Sequence, residues 1–178
     1  MKILALCGSL RPESSNMSIL KTIQTWLPDG VQYEIYDNIG LLPHFDPTFN
    51  HEDVPGEVVR FRRLIANADG VIICTPEYVF GLPGSLKNAL DWTASSGEFN
   101  EKPVAIITAS SSGENAHASL KIIMNVLTSH VPDTSTLLIS YIRTKINSQS
   151  QITDAETIDK LHSVLQSFLQ HISGKLPN

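Results

Sequence analysis

The sequence has few cysteines and no long apolar run, and both absences narrow the class of protein. Its 178 residues include only Cys7 and Cys74, too few for a disulfide framework. No apolar run approaches the roughly 20 residues that span a bilayer. The apolar first residues lead directly into Gly8 and Arg11 without a small-residue cleavage site, so we interpret them as a buried strand rather than a signal peptide. We therefore expect a cytoplasmic protein without a membrane segment.

The sequence also lacks a strong net charge of either sign, and its histidines do not have the spacing of metal ligands. The net charge of −5 at pH 7 argues against a large nucleic-acid-binding face and identifies no partner. The six histidines are His44, His51, His117, His130, His162 and His171. None has useful ligand spacing to a cysteine or carboxylate, so we expect no metal site.

Three motifs that mark common enzyme classes are absent. Without G-x-G-x-x-G, a dinucleotide-binding Rossmann turn is unsupported, and without G-x-x-x-x-G-K-[ST], so is a P-loop NTPase. No G-x-S-x-G elbow supports a serine nucleophile. We expect no side chain to act as a catalytic acid, base or nucleophile.

Five short apolar runs alternate with five segments of helical period. The predicted strands are residues 3–7, 32–36, 71–74, 104–108 and 136–139. The predicted helices are residues 16–27, 56–67, 83–94, 116–129 and a last helix opened by a capping box of Thr153 and Glu156. This alternation predicts one α/β domain over residues 1–178, with a parallel sheet covered on both faces. Ligands of such sheets bind at the carboxyl ends of the strands, which directs attention to the loops after Cys7, Cys74 and Thr108.

The loop after the first predicted strand has the groups that suit a phosphate. Residues 8–16 read GSLRPESSN and lead directly into a predicted helix. A helix N-terminus offers free N–H groups and a partial positive charge, and Arg11 can add a charge-assisted contact. In the alternative interpretation, Ser14, Ser15 and Asn16 only cap the helix while Arg11 is solvated. The position after the first strand favours a phosphate.

Two segments resemble the NAD(P)H-dependent FMN reductase family, which includes chromate, quinone and azobenzene reductases. The first loop resembles the family's phosphate loop, G-S-x-R-x-x-S-x-N. Residues 75–92 read TPEYVFGLPGSLKNALDW and resemble the family's P-E-Y-N-x-x-x-P-G-x-L-K-N-A-x-D-W. The resemblance implies that the FMN phosphate is held by residues at the matching positions, which are Gly8, Ser9, Arg11, Ser14 and Asn16.

The second segment implies contacts with the edge of the flavin. The matching residues are Pro76, Glu77, Tyr78 and Val79. We expect the backbone of Glu77 to matter more than its carboxylate, because hydride transfer through a flavin needs no protein base. Tyr78 has an alternative role as a cover over the core. The family's asparagine is Val79 here, which leaves only backbone contacts at that position.

The resemblance weakens at residues 109–118, which read ASSSGENAHA. The family has G-G-x-G-G-x-R-A here, facing the pyrimidine edge of the flavin, and only Gly113 remains of its glycines. His117 stands roughly where the arginine would be. We expect Ser110 and Gly113 to contact the flavin, and the alternative is a polar turn that caps a helix.

The resemblance also implies a fold and an activity. Two strand orders fit five strand–helix units, and the family's flavodoxin-like three-layer α/β/α sandwich has the order 2-1-3-4-5. Bound FMN would take hydride from NADPH or NADH and pass electrons to a small acceptor in a ping-pong reaction. The acceptor would be a quinone, an azo compound, a chromate-like oxyanion or free flavin. One alternative is a flavodoxin-type electron carrier without nicotinamide turnover, and another is a protein that has lost its flavin.

The resemblance further implies assembly into a homodimer, or a homotetramer made from dimers. The family uses the helix predicted at residues 83–94. Apolar residues there cover more than one narrow stripe: Leu86, Ala89, Leu90 and Trp92. We expect one face to cover the sheet and another to meet a second subunit. In the alternative, all four side chains pack inside one subunit.

Overall fold

A five-stranded parallel sheet forms the centre of the computed structural model, which describes residues 1–49 and 53–174. The strands are β1 (Lys2–Cys7), β2 (Gln32–Tyr36), β3 (Gly70–Thr75), β4 (Val104–Ala109) and β5 (Thr136–Ile139). Their order is β2-β1-β3-β4-β5, which confirms the predicted flavodoxin-like arrangement. His51 lies outside the described residues.

Within the described residues, five α-helices cover the two faces of the sheet. They are α1 (Ser15–Thr25), α2 (Gly56–Ala66), α3 (Gly84–Asp91), α4 (Glu114–Val126) and α5 (Ala155–Ile172). Apolar residues of α2, α3 and α4 pack on one face, and those of α1 and α5 pack on the other. Alternate residues of β1 enter the two cores, Leu4 on the first side and Ala5 on the second. Burial on both faces explains why the central strands have uninterrupted apolar runs. None of the described helices is long and apolar enough to cross a membrane.

The two cysteines lie opposite each other on neighbouring strands, at the end of β1 and near the end of β3. Cys7 pairs in register with Cys74, and both thiols are free and buried. Burial raises the pKa of each thiol. The prediction that they are small buried core residues is confirmed.

The first and last residues of the helices differ from the predicted bounds. The residue that caps the N-terminus of α5 also differs from the prediction. The N-cap of α5 is Asp154, whose carboxylate accepts a hydrogen bond from the Thr157 N–H at 3.0 Å. The predicted capping box of Thr153 and Glu156 is therefore wrong. The Thr153 N–H instead donates to the carbonyl of Lys145 at 2.9 Å, so Thr153 belongs to the preceding turn.

The apolar side chains of α3 all face the interior of the subunit. Leu86, Ala89 and Leu90 are at most 1% exposed, as is Trp92, which directly follows α3. The prediction that some of these four meet a second subunit is wrong, because the sheet and the neighbouring helices already bury them. The outer side of α3 has an ion pair of 2.5 Å between Lys87 and Asp91.

Candidate active site

The loops that follow β1, β3, β4 and β5, here named the first to fourth loops, enclose one cleft of about 230 Å³ at the carboxyl edge of the sheet. Nine of the eleven predicted site residues line it: Ser9, Arg11, Ser14, Ser15, Asn16, Pro76, Glu77, Tyr78 and Ser110. The topology brings these residues together because the ends of parallel strands meet at one edge.

Two of the predicted site residues do not line this cleft. Val79 lies at the tip of the second loop, with 98% of its surface exposed. Gly113 is buried at the end of the third loop as the N-cap residue of α4, with a φ of 111°. A Cβ at Gly113 would come within 2.8 Å of the Leu138 side chain, so the position requires glycine for both its conformation and its packing.

Two polar side chains of the first loop are used by the fold itself. The Ser14 hydroxyl accepts a hydrogen bond from the Met17 N–H at 3.1 Å and caps α1. The buried amide of Asn16 donates to the carbonyl of Ala109 at 3.2 Å and accepts from the Cys74 thiol at 3.3 Å. Asn16 therefore joins α1 to β3 and β4, whereas the capping interpretation is correct for Ser14.

Free hydrogen-bond donors remain at the start of α1. The N–H groups of Ser15 and Asn16 have no hydrogen-bond partner within residues 1–49 and 53–174. The Arg11 guanidinium is exposed and forms no ion pair there. A helix N-terminus with free N–H groups beside an unpaired guanidinium is suited to an anion such as a phosphate. The donor set therefore fits the phosphate of FMN.

Gly8 allows the first and second loops to approach closely. Its N–H donates to the carbonyl of Cys74 at 2.8 Å. A Cβ at Gly8 would overlap the hydroxyl of Thr75 and come within 2.8 Å of the Thr75 Cβ. Only glycine fits between these strand ends, which explains the residue at this place in the loop.

The second loop forms a tight turn that projects from the cleft. Tyr78 and Gly81 exchange two backbone hydrogen bonds of 3.0 Å. Between them, Val79 and Phe80 have φ values of 50° and 57°, in the left-handed region that disfavours a β-branched residue. Such strained positions cluster at functional sites. Tyr78 is 47% exposed and lines the cleft, so its alternative role as a cover over the core is wrong.

The carboxylate of Glu77 joins the second loop to the third. It accepts hydrogen bonds from the Ser112 hydroxyl at 3.0 Å and from the Ala116 N–H at 2.8 Å. Because Gly113 has no side chain to cap α4, the carboxylate of Glu77 caps it from another loop. Partial burial raises the pKa of Glu77, but the hydrogen bonds outweigh this effect and its pKa lies below the ordinary value. The backbone is expected to matter more than the carboxylate for the flavin, and the carboxylate has this structural role in addition.

His117 does not take the place of the family's arginine in the cleft. It is half-buried beside β4, and its Nδ1 lies 3.0 Å from the Thr108 hydroxyl. Burial, together with the positive charge of Lys121, lowers the pKa of the imidazole. Among residues 1–49 and 53–174, no three His, Cys, Asp or Glu side chains lie close enough to hold a metal ion.

Four cleft residues were missed by the sequence prediction: Ala109, Ser111, Ile142 and Arg143. The last two belong to the fourth loop, in the 3₁₀ segment Ile142–Thr144. A signal was present, because β5 ends at the same edge of the sheet as the other strands and a basic residue follows it within four positions.

Comparison with known proteins identifies the family. A family model described as NADPH-dependent FMN reductase matches residues 1–144. The chain belongs to this family. The reductase is 30% identical over 179 residues to a quinone reductase of Escherichia coli (strain K12), covering 97% of this chain and 95% of that protein. It is 33% identical over 180 residues to an NAD(P)H-dependent FMN reductase of Pseudomonas aeruginosa, covering 96% and 92%.

The solved structures agree with this membership. The reductase resembles FerB, a flavoenzyme NAD(P)H:(acceptor) oxidoreductase from Paracoccus denitrificans, with a TM-score of 0.84 and 27% identity. The match covers 98% of each chain. The predicted family is confirmed, as are FMN as the cofactor and a nicotinamide nucleotide as the electron donor.

Proposed function

We propose that this reductase binds FMN in the carboxyl-edge cleft, takes electrons from NADPH and passes them to quinones. The observation that carries the proposal is the unpaired donor set of the first loop, in one cleft with Tyr78 and Ser110. FMN supplies the redox chemistry, because its ring accepts a hydride from the nicotinamide and releases electrons to the acceptor.

The protein's own residues bind and orient the cofactor. Arg11 and the N–H groups of Ser15 and Asn16 hold the phosphate. Tyr78 and the hydroxyl of Ser110 border the ring system, and Glu77 fixes the two loops that carry them. The transfer of hydride from the nicotinamide to the flavin needs no acid or base from the protein, and water would supply the proton that a quinone takes up on reduction.

Two finer parts of the proposal are supported by the relatives. The Escherichia coli relative is a quinone reductase, which supports a quinone as acceptor. The family description names NADPH, which supports NADPH over NADH. We place the enzyme in the cytoplasm because its two buried thiols are free.

A flavin-binding experiment tests the function directly. The apoprotein should bind FMN much more tightly than riboflavin, because the first loop is arranged for a phosphate. Anaerobic addition of NADPH should bleach the absorbance of bound FMN, and a quinone should restore it. Bound FMN that stays oxidised under excess NADPH and NADH would indicate an electron carrier instead. Equal affinity for FMN and riboflavin would contradict the phosphate assignment.

We also propose that the reductase is a homodimer, or a tetramer made from dimers, through the outer face of α4. Ile122 and Val126 lie four residues apart on this helix and are 66% and 72% exposed. Leu120 and Met124 of the same helix are buried in the core, so Ile122 and Val126 lie on its outer side. An exposed apolar pair on one helix face is suited to a two-fold contact.

Charged substitutions on α4 test the dimer. Ile122→Glu together with Val126→Glu should convert the protein to a monomer in light scattering at micromolar concentration, because the two carboxylates of each subunit would be buried without partners and would repel those of the other subunit. The matched control is Val59→Glu, on the exposed side of α2, which should leave the assembly unchanged. A wild type that is monomeric with and without FMN would contradict the proposal.

A further inference from the structure

Arg143 approaches the cleft from the strand farthest from the first loop. It lies in the 3₁₀ segment Ile142–Thr144, after β5, and lines the same cleft as Arg11 and Ser15. Tyr141, the residue before this segment, has a left-handed φ of 56°, which turns the backbone toward the cleft. A non-glycine residue in this region is uncommon and marks a backbone held by its surroundings.

The third loop fixes the backbone that carries Arg143. The N–H of Ile142 donates to the carbonyl of Ser110 at 3.1 Å, and the N–H of Tyr141 donates to that of Ser111 at 3.2 Å. The Ile142 side chain is buried in the core beneath. Arg143 is therefore carried by a rigid support that belongs to the cleft itself, although the guanidinium is exposed.

The charges around the cleft are unbalanced. Its charged side chains are Arg11, Arg143 and Glu77. The carboxylate of Glu77 already accepts hydrogen bonds from the Ser112 hydroxyl and from the Ala116 N–H in the first turn of α4. Neither guanidinium forms an ion pair in the part of the chain that the structure describes. Two unpaired guanidiniums in one cleft favour a doubly charged anion, and a phosphate monoester carries about −1.5 to −2 at pH 7.

We propose that Arg143 is the second cation of the phosphate site and binds the FMN phosphate together with Arg11. The proposal rests on the function given above, since it assigns one more ligand to that cofactor. Two guanidiniums from opposite sides can each donate paired hydrogen bonds to phosphate oxygens. The resemblance to the family lies in the first and second loops and does not predict Arg143, which belongs to the fourth loop.

Flavin titration of the apoprotein tests Arg143 without any turnover. Quenching of flavin fluorescence gives Kd for FMN and for riboflavin with each variant. Arg143→Gln should weaken FMN binding about ten- to a hundred-fold, the effect of losing a charge-assisted hydrogen bond, and should leave riboflavin within about two-fold. Arg143→Lys should recover part of the loss, because it keeps the charge without the planar fork. Arg11→Gln serves as a positive comparison.

The control is Arg63→Gln, the same charge change on the exposed side of α2 and outside the cleft, which should bind both flavins as the wild type does. An equal loss of FMN and riboflavin affinity in Arg143→Gln would show a structural role and overturn the assignment. Unchanged FMN affinity would overturn it too. If Arg143→Gln left FMN affinity unchanged but raised the KM for NADPH and not that for NADH, the arginine would bind the additional phosphate of NADPH instead of the FMN phosphate. A wild type without preference for FMN would instead refute the proposed function.

Discussion

Gly8→Ala should lower both the stability of the reductase and its affinity for FMN. The new Cβ would overlap the Thr75 hydroxyl and press on the Leu86 side chain at 3.1 Å. Both neighbours are fully buried, so neither can move aside freely. Overpacking of this kind costs about 1–3 kcal/mol. A displaced first loop would also lose charge-assisted hydrogen bonds to the phosphate, which implies an FMN affinity on the order of ten-fold weaker or more.

The matched control is Gly84→Ala, at the first residue of α3. Apart from the adjoining backbone, no atom lies within 4 Å of a Cβ there, and alanine suits a helix better than glycine. Denaturant unfolding with the two variants separates steric overlap from the general change of glycine to alanine. We expect Gly84→Ala to match or exceed the wild-type stability. A Gly8→Ala protein as stable as the wild type, with unchanged FMN affinity, would show that the two loops can separate without consequence.

The sequence predicts the fold well because its signals are local. Uninterrupted apolar runs mark the central strands, and β2 and β5 have the predicted bounds. The side of each helix that packs inward follows from its apolar period. The first, second and third loops could also be placed in one site, because strand–helix alternation makes the carboxyl ends of all strands share an edge.

The connections between loops could not be predicted, because they join residues far apart in the sequence. Asn16 reads as a helix cap, yet its amide binds the carbonyl of Ala109, 93 residues away. α4 begins at Glu114, two residues before the predicted start, because its cap comes from Glu77. No local pattern marks a cap supplied from another loop. The sequence prediction misses Arg143 for a different reason, since it lies in the fourth loop, outside the segments that resemble the family.

Because of these hydrogen bonds, some loops of the cleft depend on others for their position. The first loop is held by the fold through Asn16 and Gly8, whereas the third loop is held by another part of the cleft, the Glu77 carboxylate. The fourth loop then rests on the carbonyls of the third, through Tyr141 and Ile142. A disturbance at Glu77 should therefore spread to the third and fourth loops and spare the first.

Glu77→Gln should destabilise the reductase at neutral pH and lose that effect in acid. The variant removes a charged acceptor from the N-terminus of α4, and the loss of a helix cap costs about 0.5–2 kcal/mol. The pKa of Glu77 is lowered in the folded protein, so its stabilisation is complete above the ordinary value of 4.5 and is lost as the pH falls through the lowered pKa. The difference in unfolding free energy between wild type and variant should shrink from pH 7 to pH 3.

The matched control is Glu114→Gln, in the first turn of the same helix, where the exposed carboxylate makes no hydrogen bond within residues 1–49 and 53–174. It changes the same charge beside the same helix dipole but leaves Ser112 and Ala116 with their partner. Urea titrations of both variants at pH 7, 5 and 3 separate the cap from the dipole. Equal losses would assign the effect to charge alone. A loss confined to Glu77→Gln, with weaker FMN binding, would show that one carboxylate holds the second and third loops together for the cofactor.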